Sequence, residues 1–321
     1  MDNLLNFFKI AQFQFILRVV NPLYLPSYKG STFRGGFGHA FKKVVCVNSE
    51  KVCGSCLLKG KCVYSYVFET PPPSNTLKMR KYPFAPHPFV ITPPLEEKRE
   101  YLKDDALCFG LTLIGKSIDY LPYFIYTFDE LGRMGIGKGK GKYQLEEVRS
   151  RGDTKREETI YSSKDKTLHQ NFRVTNLAEL LSSFTSNPTP QIITLHFITP
   201  TRLKFDGKLS PTLEFHILLR NLLRRVSLLS YFHCNCELNL DFKGIIEKSR
   251  EIKVGKSNLH WFDWERYSNR QDTKMMMGGF VGSVTFEGNL EQFLPFLLLG
   301  EYIHVGKGTS FGLGKYEIVR T

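Results

Sequence analysis

The sequence predicts an α+β fold in which one strand–helix–strand–strand–helix–strand unit occurs twice. Two observations predict it. A glycine-rich loop feeding an alternating strand appears at 132–148 and again at 304–319, and the two copies keep register: Leu121-Pro122 with Leu294-Pro295, Gly139 and Gly141 with Gly312 and Gly314, and Lys142-Tyr143 with Lys315-Tyr316, each pair 173 positions apart. Each half also begins with a strand that ends in proline and runs into a helix. The βαββαβ order is that of a ferredoxin-like (RRM-like) unit. It implies two tandem domains, 1–187 and 188–321, the first interrupted by a cysteine-rich, metal-binding insertion (46–62) and a proline-rich one (70–94).

The elements follow in order. Phe13, Phe15, Leu17 and Val19 alternate with polar residues until Asn21-Pro22 ends the strand. Phe33, Phe37, Phe41 and Val44 then keep helical spacing, with Ser31 a candidate N-cap. Gly35, Gly36 and Gly38 are costly inside that helix, so close approach of another backbone or of RNA is expected there. His39, Lys42 and Lys43 fall at i, i+3 and i+4 on one face. A strand at 107–114, a helix at 117–131, the first glycine loop and a strand to Val148 complete the half, with an exposed hairpin or loop at 149–166. A short helix near 177–184 and Ser186-Asn187-Pro188-Thr189-Pro190 mark the boundary. In the second half, Ile193, Leu195 and Phe197 alternate, and Ser210-Pro211 reads as an N-cap with proline at N1, opening a helix that buries Phe215, Leu219, Leu222, Val226 and Leu229. Arg220 and Arg224 share another face. An aromatic and cationic patch at 261–271, a strand at 280–287 and a helix at 289–300 lead to the last loop.

Glycines at this density exclude a helix interior and suit a loop whose backbone comes close to a partner. Lys138 and Lys140 in the first loop, and Lys307 and Lys315 in the second, stand beside backbone N–H groups, as a phosphate cradle requires; a tight turn is the plainer alternative. The formal charge of the 321-residue chain is +13, which points to a polyanionic partner. No basic amphipathic helix or apolar run of about 18 residues supports a membrane role. The acidic start Met1-Asp2-Asn3 is unlike a signal peptide, and seven cysteines, an odd number, fit a reducing cytoplasm.

Cys46, Cys53, Cys56 and Cys62 are spaced C-x6-C-x2-C-x5-C. A CxxC with two flanking thiols suits a tetrahedral site, with structural zinc the default and an iron–sulfur cluster the alternative. Trp261, Phe262 and Trp264 could stack RNA bases or pack the second domain, and packing is the expectation for the tryptophans. Arg266 and Arg270 are candidate phosphate contacts.

With duplication, loops and charge together, the chain resembles the RAMP superfamily. More narrowly, it is similar to the CRISPR-associated endoribonucleases that cut precursor CRISPR RNA within its repeats, in the branch with an N-terminal cysteine cluster. The family's C-terminal G-h-G-x5-G-h-G loop matches His304-Val305-Gly306, Lys307 to Phe311, and Gly312-Leu313-Gly314, with His304 replacing the first glycine. The resemblance implies RNA bound partly against this loop, with Arg34, Lys138, Lys140, Arg220, Arg224, Arg266, Arg270, His304, Gly306, Lys307, Gly312, Gly314 and Lys315 as the contacts on this chain. It also implies a metal-independent reaction in which the 2′-OH attacks the scissile phosphate, leaving a 2′,3′-cyclic phosphate and a 5′-OH. Carried onto this chain, His39 is the general base or acid, Tyr28 orients or assists, and Lys42 or Lys43 stabilises the phosphorane. The plainer alternative for His39 is a helix-surface histidine beside solvated lysines; for His304, a turn residue. The rival roles are a non-catalytic RAMP subunit of a CRISPR effector complex, with other effector subunits as partners, and a metal-stabilised RNA-binding module.

Overall fold

The computed structural model describes residues 2–48, 52–152, 157–184, 190–210, 212–268 and 273–320. By its contacts the mixed α+β chain divides into two units, Lys9–Thr175 with Phe232–Cys234, and Met1–Phe8, Asn176–Tyr231 and Asn235–Thr321. Helix α1 (Asp2–Phe7) opens the chain but belongs to the second of these. The expected boundary around 186–190 lies mostly outside the described residues, and the contacts divide at Asn176 instead.

In the first unit, β1 (Lys9–Val19) buries Phe13, Phe15, Leu17 and Val19 on one face, as the alternation predicts. Then come α2 (Gly30–Val45), β2 (Phe89–Thr92), β3 (Ala106–Ile114), α3 (Leu121–Met134), β4 (Tyr143–Arg151) and β5 (Glu158–Ser162). The strands run β2-β3-β1-β4-β5 with antiparallel neighbours, and Thr175–Asn176 also pairs with β1. Helices α2 and α3 close over the sheet through phenylalanine rings. Phe37 lies 5.0 Å from Phe41, 4.9 Å from Phe124 and 5.1 Å from Phe128. Each fully buried ring contributes on the order of 2 kcal/mol from area alone.

The glycines of α2 make room for protein side chains rather than backbone or RNA. A Cβ on Gly38 would stand 2.0 Å from Phe68 Cζ, and one on Gly36 3.1 Å from Leu131, whereas Gly35 faces open space. The apolar run inside the proline-rich passage is strand β2, buried at Phe89, Val90 and Ile91. That strand makes part of the passage a member of the sheet.

In the second unit, α4 (Leu177–Ser183) precedes β6 (Ile192–Thr201), α5 (Phe215–His233), α6 (Phe242–Ser249), β7 (Lys253–Phe262), β8 (Gly279–Glu287), α7 (Leu294–Ile303) and β9 (Tyr316–Val319). The sheet runs β7-β8-β6-β9, again antiparallel. Second strand, third, first, fourth is therefore the order in both units. Helix α5 starts at Phe215, later than the Ser210-Pro211 signal predicts. Glu214 O takes the first N–H bonds, from Ile217 and Leu218, while Ser210 Oγ donates to Thr212 O at 2.7 Å. Pro211 lies outside the described residues.

A shared lock closes each unit. Tyr143 Oη donates to Phe128 O at 2.8 Å and Tyr316 Oη to Leu297 O at 2.6 Å. These acceptors are 169 residues apart, as are the helix ends Met134 and Ile303, whereas the helix starts and the strand starts are 173 apart. The ungapped repeat thus needs correction: α7 is one turn shorter than α3, and its loop is four residues longer, holding the turn Thr309–Phe311.

Candidate functional site

On α2, His39 is exposed, and among the described residues no hydrogen bond or ion pair engages its ring. Lys42 and Lys43 follow one turn on. Lys42 Nζ lies 5.5 Å over the Tyr64 ring, and Lys43 Nζ donates to Glu130 Oε1 at 2.8 Å, which holds that carboxyl below its usual range. The pair therefore leaves the helix in two directions, Lys42 toward Tyr64 and Lys43 toward α3. Tyr28 precedes the helix, its phenol pushed up by burial. Helix α2 brings His39 and the two lysines together, and Tyr28 lies before its first residue, Gly30. Between them, Lys29 is fully buried, its ammonium donating to Glu96 O at 2.6 Å and Ser27 O at 3.3 Å.

Arg34 is built into the protein. Its guanidinium lies 4.0 Å over the Phe68 ring, and Nη2 stands 3.0 Å from His87 Nε2. Thr70 Oγ1 donates to Ala85 O at 2.9 Å, so the 3.2 Å contact between Thr70 Oγ1 and His87 Nδ1 is donated by the ring. That tautomer leaves Nε2 to accept from Arg34. The expected RNA contact at Arg34 thus gives way to a ring stack and a hydrogen bond inside the fold. No periodicity in the sequence pairs Arg34 with a histidine in a proline-rich passage.

The glycine loops approach protein backbone. A Cβ on Gly137 would stand 2.4 Å from Tyr24 O, on Gly141 2.1 Å from Pro22 O, on Gly306 2.4 Å from Arg202 O and on Gly314 1.8 Å from Val305 O. Several N–H groups expected to face phosphate are spent internally. Lys138 N donates to Tyr24 O, Lys307 N to Arg202 O, Gly314 N to Pro200 O and Lys315 N to Thr199 Oγ1; that same hydroxyl donates to Gly312 O at 2.8 Å. The loops are braced, and what they offer outward is the exposed side chains of Lys138, Lys140 and Lys307. Lys315 is half-buried, 3.5 Å from Glu317.

His304 is predicted to face RNA and does not. It is 2% exposed, its Nδ1 3.2 Å from Leu313 O, and burial with the charges of Lys315 and Arg225 lowers its pKa to about 3. The reason lies in its place as the C-cap of α7, with φ 60° and ψ 170°, its N–H on Gly300 O. Gly135 caps α3 in the same way, with φ 82° and ψ 150° and its N–H on Leu131 O. A capping glycine has thus become a histidine whose side chain turns inward.

Around the second loop, cations cluster. Partial burial, then the like charges of Lys204, Arg202 and Arg224, lower the Lys307 pKa. Arg224 and Arg220 are exposed on α5, Arg220 lying 5.6 Å over the Phe205 ring. Arg202 and Lys204, which the sequence analysis passes over, follow Thr199-Pro200-Thr201 and could have been found as cations at the end of a proline-broken strand. Arg266 is in the strand Glu265–Ser268, and Arg270 lies outside the described residues.

Cys46, Cys53, Cys56 and Cys62 are half-buried free thiols. Among the described residues no three His, Cys, Asp or Glu side chains gather as a metal-binding group. Cys53 and Cys62 pack against the phenylalanine core, and Cys46 Sγ points to Asn48 O at 3.6 Å.

Comparison with known proteins agrees with this architecture. Residues 8–173 match the N-terminal domain model AF_1859_N, and residues 195–316 match the model of the CRISPR-associated endoribonuclease Cas6. An uncharacterized protein of Archaeoglobus fulgidus is 26% identical over 310 residues, 94% of this chain and 95% of that one. Among solved structures, a Cas6 product complex superposes with a TM-score of 0.59 at 17% identity, over 97% of this chain and 100% of that one. Thermus thermophilus Cas6 gives a TM-score of 0.54 at 17% identity, over 97% and 99%. The fold and these matches define a CRISPR-associated RAMP-type endoribonuclease. The chain belongs to the family of the AF_1859_N model, which matches more than half of it, and its C-terminal part, residues 195–316, matches the Cas6 model.

Proposed function

We propose that this chain cleaves CRISPR precursor RNA within its repeats by 2′-OH attack. His39 takes the 2′-OH proton, O2′ attacks the adjacent phosphorus, and the bond to the 5′-oxygen breaks as that oxygen gains a proton. The products are a 2′,3′-cyclic phosphate and a 5′-OH. Lys42, the half-buried cation one turn from His39, offsets charge on the phosphorane. Lys43, tied to Glu130, is a weaker candidate for that task. Tyr28 orients or assists. The single observation that carries this reading is the exposed His39 imidazole beside Lys42, engaged by no hydrogen bond or ion pair among the described residues.

The strand order common to both sheets supports two tandem ferredoxin-like units, and the basic cluster around Lys307 supports RNA as the partner. A structural zinc, with an iron–sulfur cluster as the alternative, is the proposal from the four-cysteine spacing alone, and no step of the reaction passes through it. Metal analysis of protein purified without chelator decides that point. Among the described residues no helix is long and apolar enough to cross a membrane, and a cytoplasmic site of action is proposed from the cysteine usage and the RNA substrate.

The test is incubation with a repeat RNA and its 2′-deoxy analogue at the cut site, with and without EDTA. Cleavage of the unmodified RNA alone, unaffected by EDTA, is expected. His39→Ala should slow it by about 100-fold or more. Cleavage of the deoxy RNA sinks the mechanism, and His39→Ala within a few-fold of wild type removes His39 from it. RNA bound tightly but left uncut by the wild type favours a non-catalytic subunit.

A further inference from the structure

Strand β7 is the edge of the second sheet, and every residue from Lys253 to Phe262 is exposed except Leu259, which is intermediate. A strand covered by helices would alternate, as β6 does. Trp261 pairs with the buried Phe280 in register, so its ring lies on the helix-facing side of the sheet, yet 46% of its surface stays open. The expectation that Trp261 packs the domain therefore fails, because among the described residues no layer covers the edge strand.

The indole is held rather than loose. Trp261 Nε1 donates to Asp263 Oδ1 at 2.9 Å, and a Cβ on Gly278 would stand 2.5 Å from that nitrogen. Its one polar group is already spent, so what remains exposed is ring surface. Cations connect to it through a short chain of contacts. Met277, next to Gly278, has its sulfur 3.0 Å from Arg202 Nη1; Arg202 O accepts from Lys307 N, and Lys307 belongs to the cluster with Lys204 and Arg224. Lys253, Lys256 and His260 line the same strand, which carries no acidic residue.

We infer that Trp261 is a stacking platform for an unpaired base of RNA whose neighbouring phosphates lie on the Arg202–Lys204–Lys307 cluster. The inference rests on the proposed RNA-binding role and adds which nucleotides are selected. A fixed, half-open aromatic face takes any base by stacking, provided the base is out of a helix, and a duplex offers none along its length. The pre-set orientation lowers the ordering cost of that contact. A basic strand with a spent indole N–H favours a polyanion carrying flat apolar faces over an apolar protein surface.

The chain has two tryptophans, so in a Trp264→Phe background the indole emission reports Trp261 alone. The probe is a single-stranded RNA of about ten nucleotides, titrated beside a blunt duplex of the same length. Quenching by the single strand and not by the duplex is expected. Trp261→Ala should weaken single-strand binding about 5- to 150-fold, while Trp261→Phe, which keeps a stacking ring, recovers most of it. The slope of affinity against salt should stay as in the wild type for Trp261→Ala and fall by about one ion for Lys307→Ala. Equal affinity of wild type and Trp261→Ala for the single strand overturns the inference while leaving RNA binding intact. Failure of the wild type to bind any RNA overturns the functional reading together with it.

Discussion

Replacing His304 tests how the last loop is held. In the folded chain its pKa falls to about 3, against an ordinary 6.5. Between those values the unfolded chain binds a proton that the folded chain refuses, so stability rises with pH across that window. The contribution is complete above about pH 6.5 and is lost as pH falls toward 3. From pH 7 to pH 5 the loss is about 2 kcal/mol. His304→Gln abolishes the titration but keeps a side chain at φ 60° and ψ 170°. His304→Gly also removes backbone strain on the order of 1–3 kcal/mol, set against a small cavity and the lost bond to Leu313 O. Urea unfolding of the three proteins at pH 5, 6 and 7 separates the effects. Both variants should gain about 2 kcal/mol relative to wild type on going from pH 7 to pH 5, whatever their offset at pH 7. Curves that stay parallel across this range refute the buried, neutral histidine. A glycine variant less stable than the glutamine one at every pH refutes the strain.

Glu301 works in the opposite sense. Burial raises its pKa from 4.5 to about 7 while it accepts from Ile318 N at 2.7 Å. The folded chain then holds the extra proton between about pH 4.5 and 7, so stability is greatest below that window and falls as pH rises through it, by up to about 3 kcal/mol. Glu301→Gln keeps an acceptor for Ile318 and should flatten this fall; an unchanged pH profile would count against it. The glycines of α2 give a paired test by thermal unfolding. Gly35→Ala, facing open space, should stabilise by up to about 1 kcal/mol, whereas Gly38→Ala must displace Phe68 and should destabilise by about 1–3 kcal/mol despite better helix propensity. If both alanines stabilise alike, the Phe68 ring is not fixed against α2.

What the sequence made legible was whatever burial writes as a period. Strands β1 and β6 alternate because one face of each is covered, and both loops and their tyrosines were visible because glycine and a locking phenol admit few substitutes. Strand β7 was not legible for the converse reason: its residues are exposed on both faces, so burial imposes no alternation, and its aromatic end looked like packing. Strand β2 was hidden by the prolines around it, though three apolar residues in a row belong to a strand buried on both faces. Among the site residues, the neighbours of His39 on α2 followed from helical spacing alone. The Arg34–His87 contact spans 53 positions and has no local signature.

His304 shows why matching a loop residue by residue misplaces function. In sequence it replaces the first glycine of a loop motif, and a histidine in such a loop invites a phosphate. In the fold that glycine is a helix cap, and the constraint on it is a positive φ with a buried side, not access to a ligand. The repeat carries the same information, since Gly135 caps α3 with nearly the same dihedrals. It stays unreadable while the two copies are aligned without a gap, because the missing turn of α7 shifts His304 onto Leu131 instead of Gly135. Allowing four residues to pass from helix to loop restores the equivalence and moves His304 from the RNA face to the core. Lys307 with Lys204, Arg224 and the half-buried Arg202 are then what the loop presents; partial burial and then these like charges lower the Lys307 pKa, and under the proposed role an RNA phosphate would offset that charge. Under the proposed RNA-binding role, phosphate at this loop is held by side chains that the braced backbone positions, not by the backbone itself.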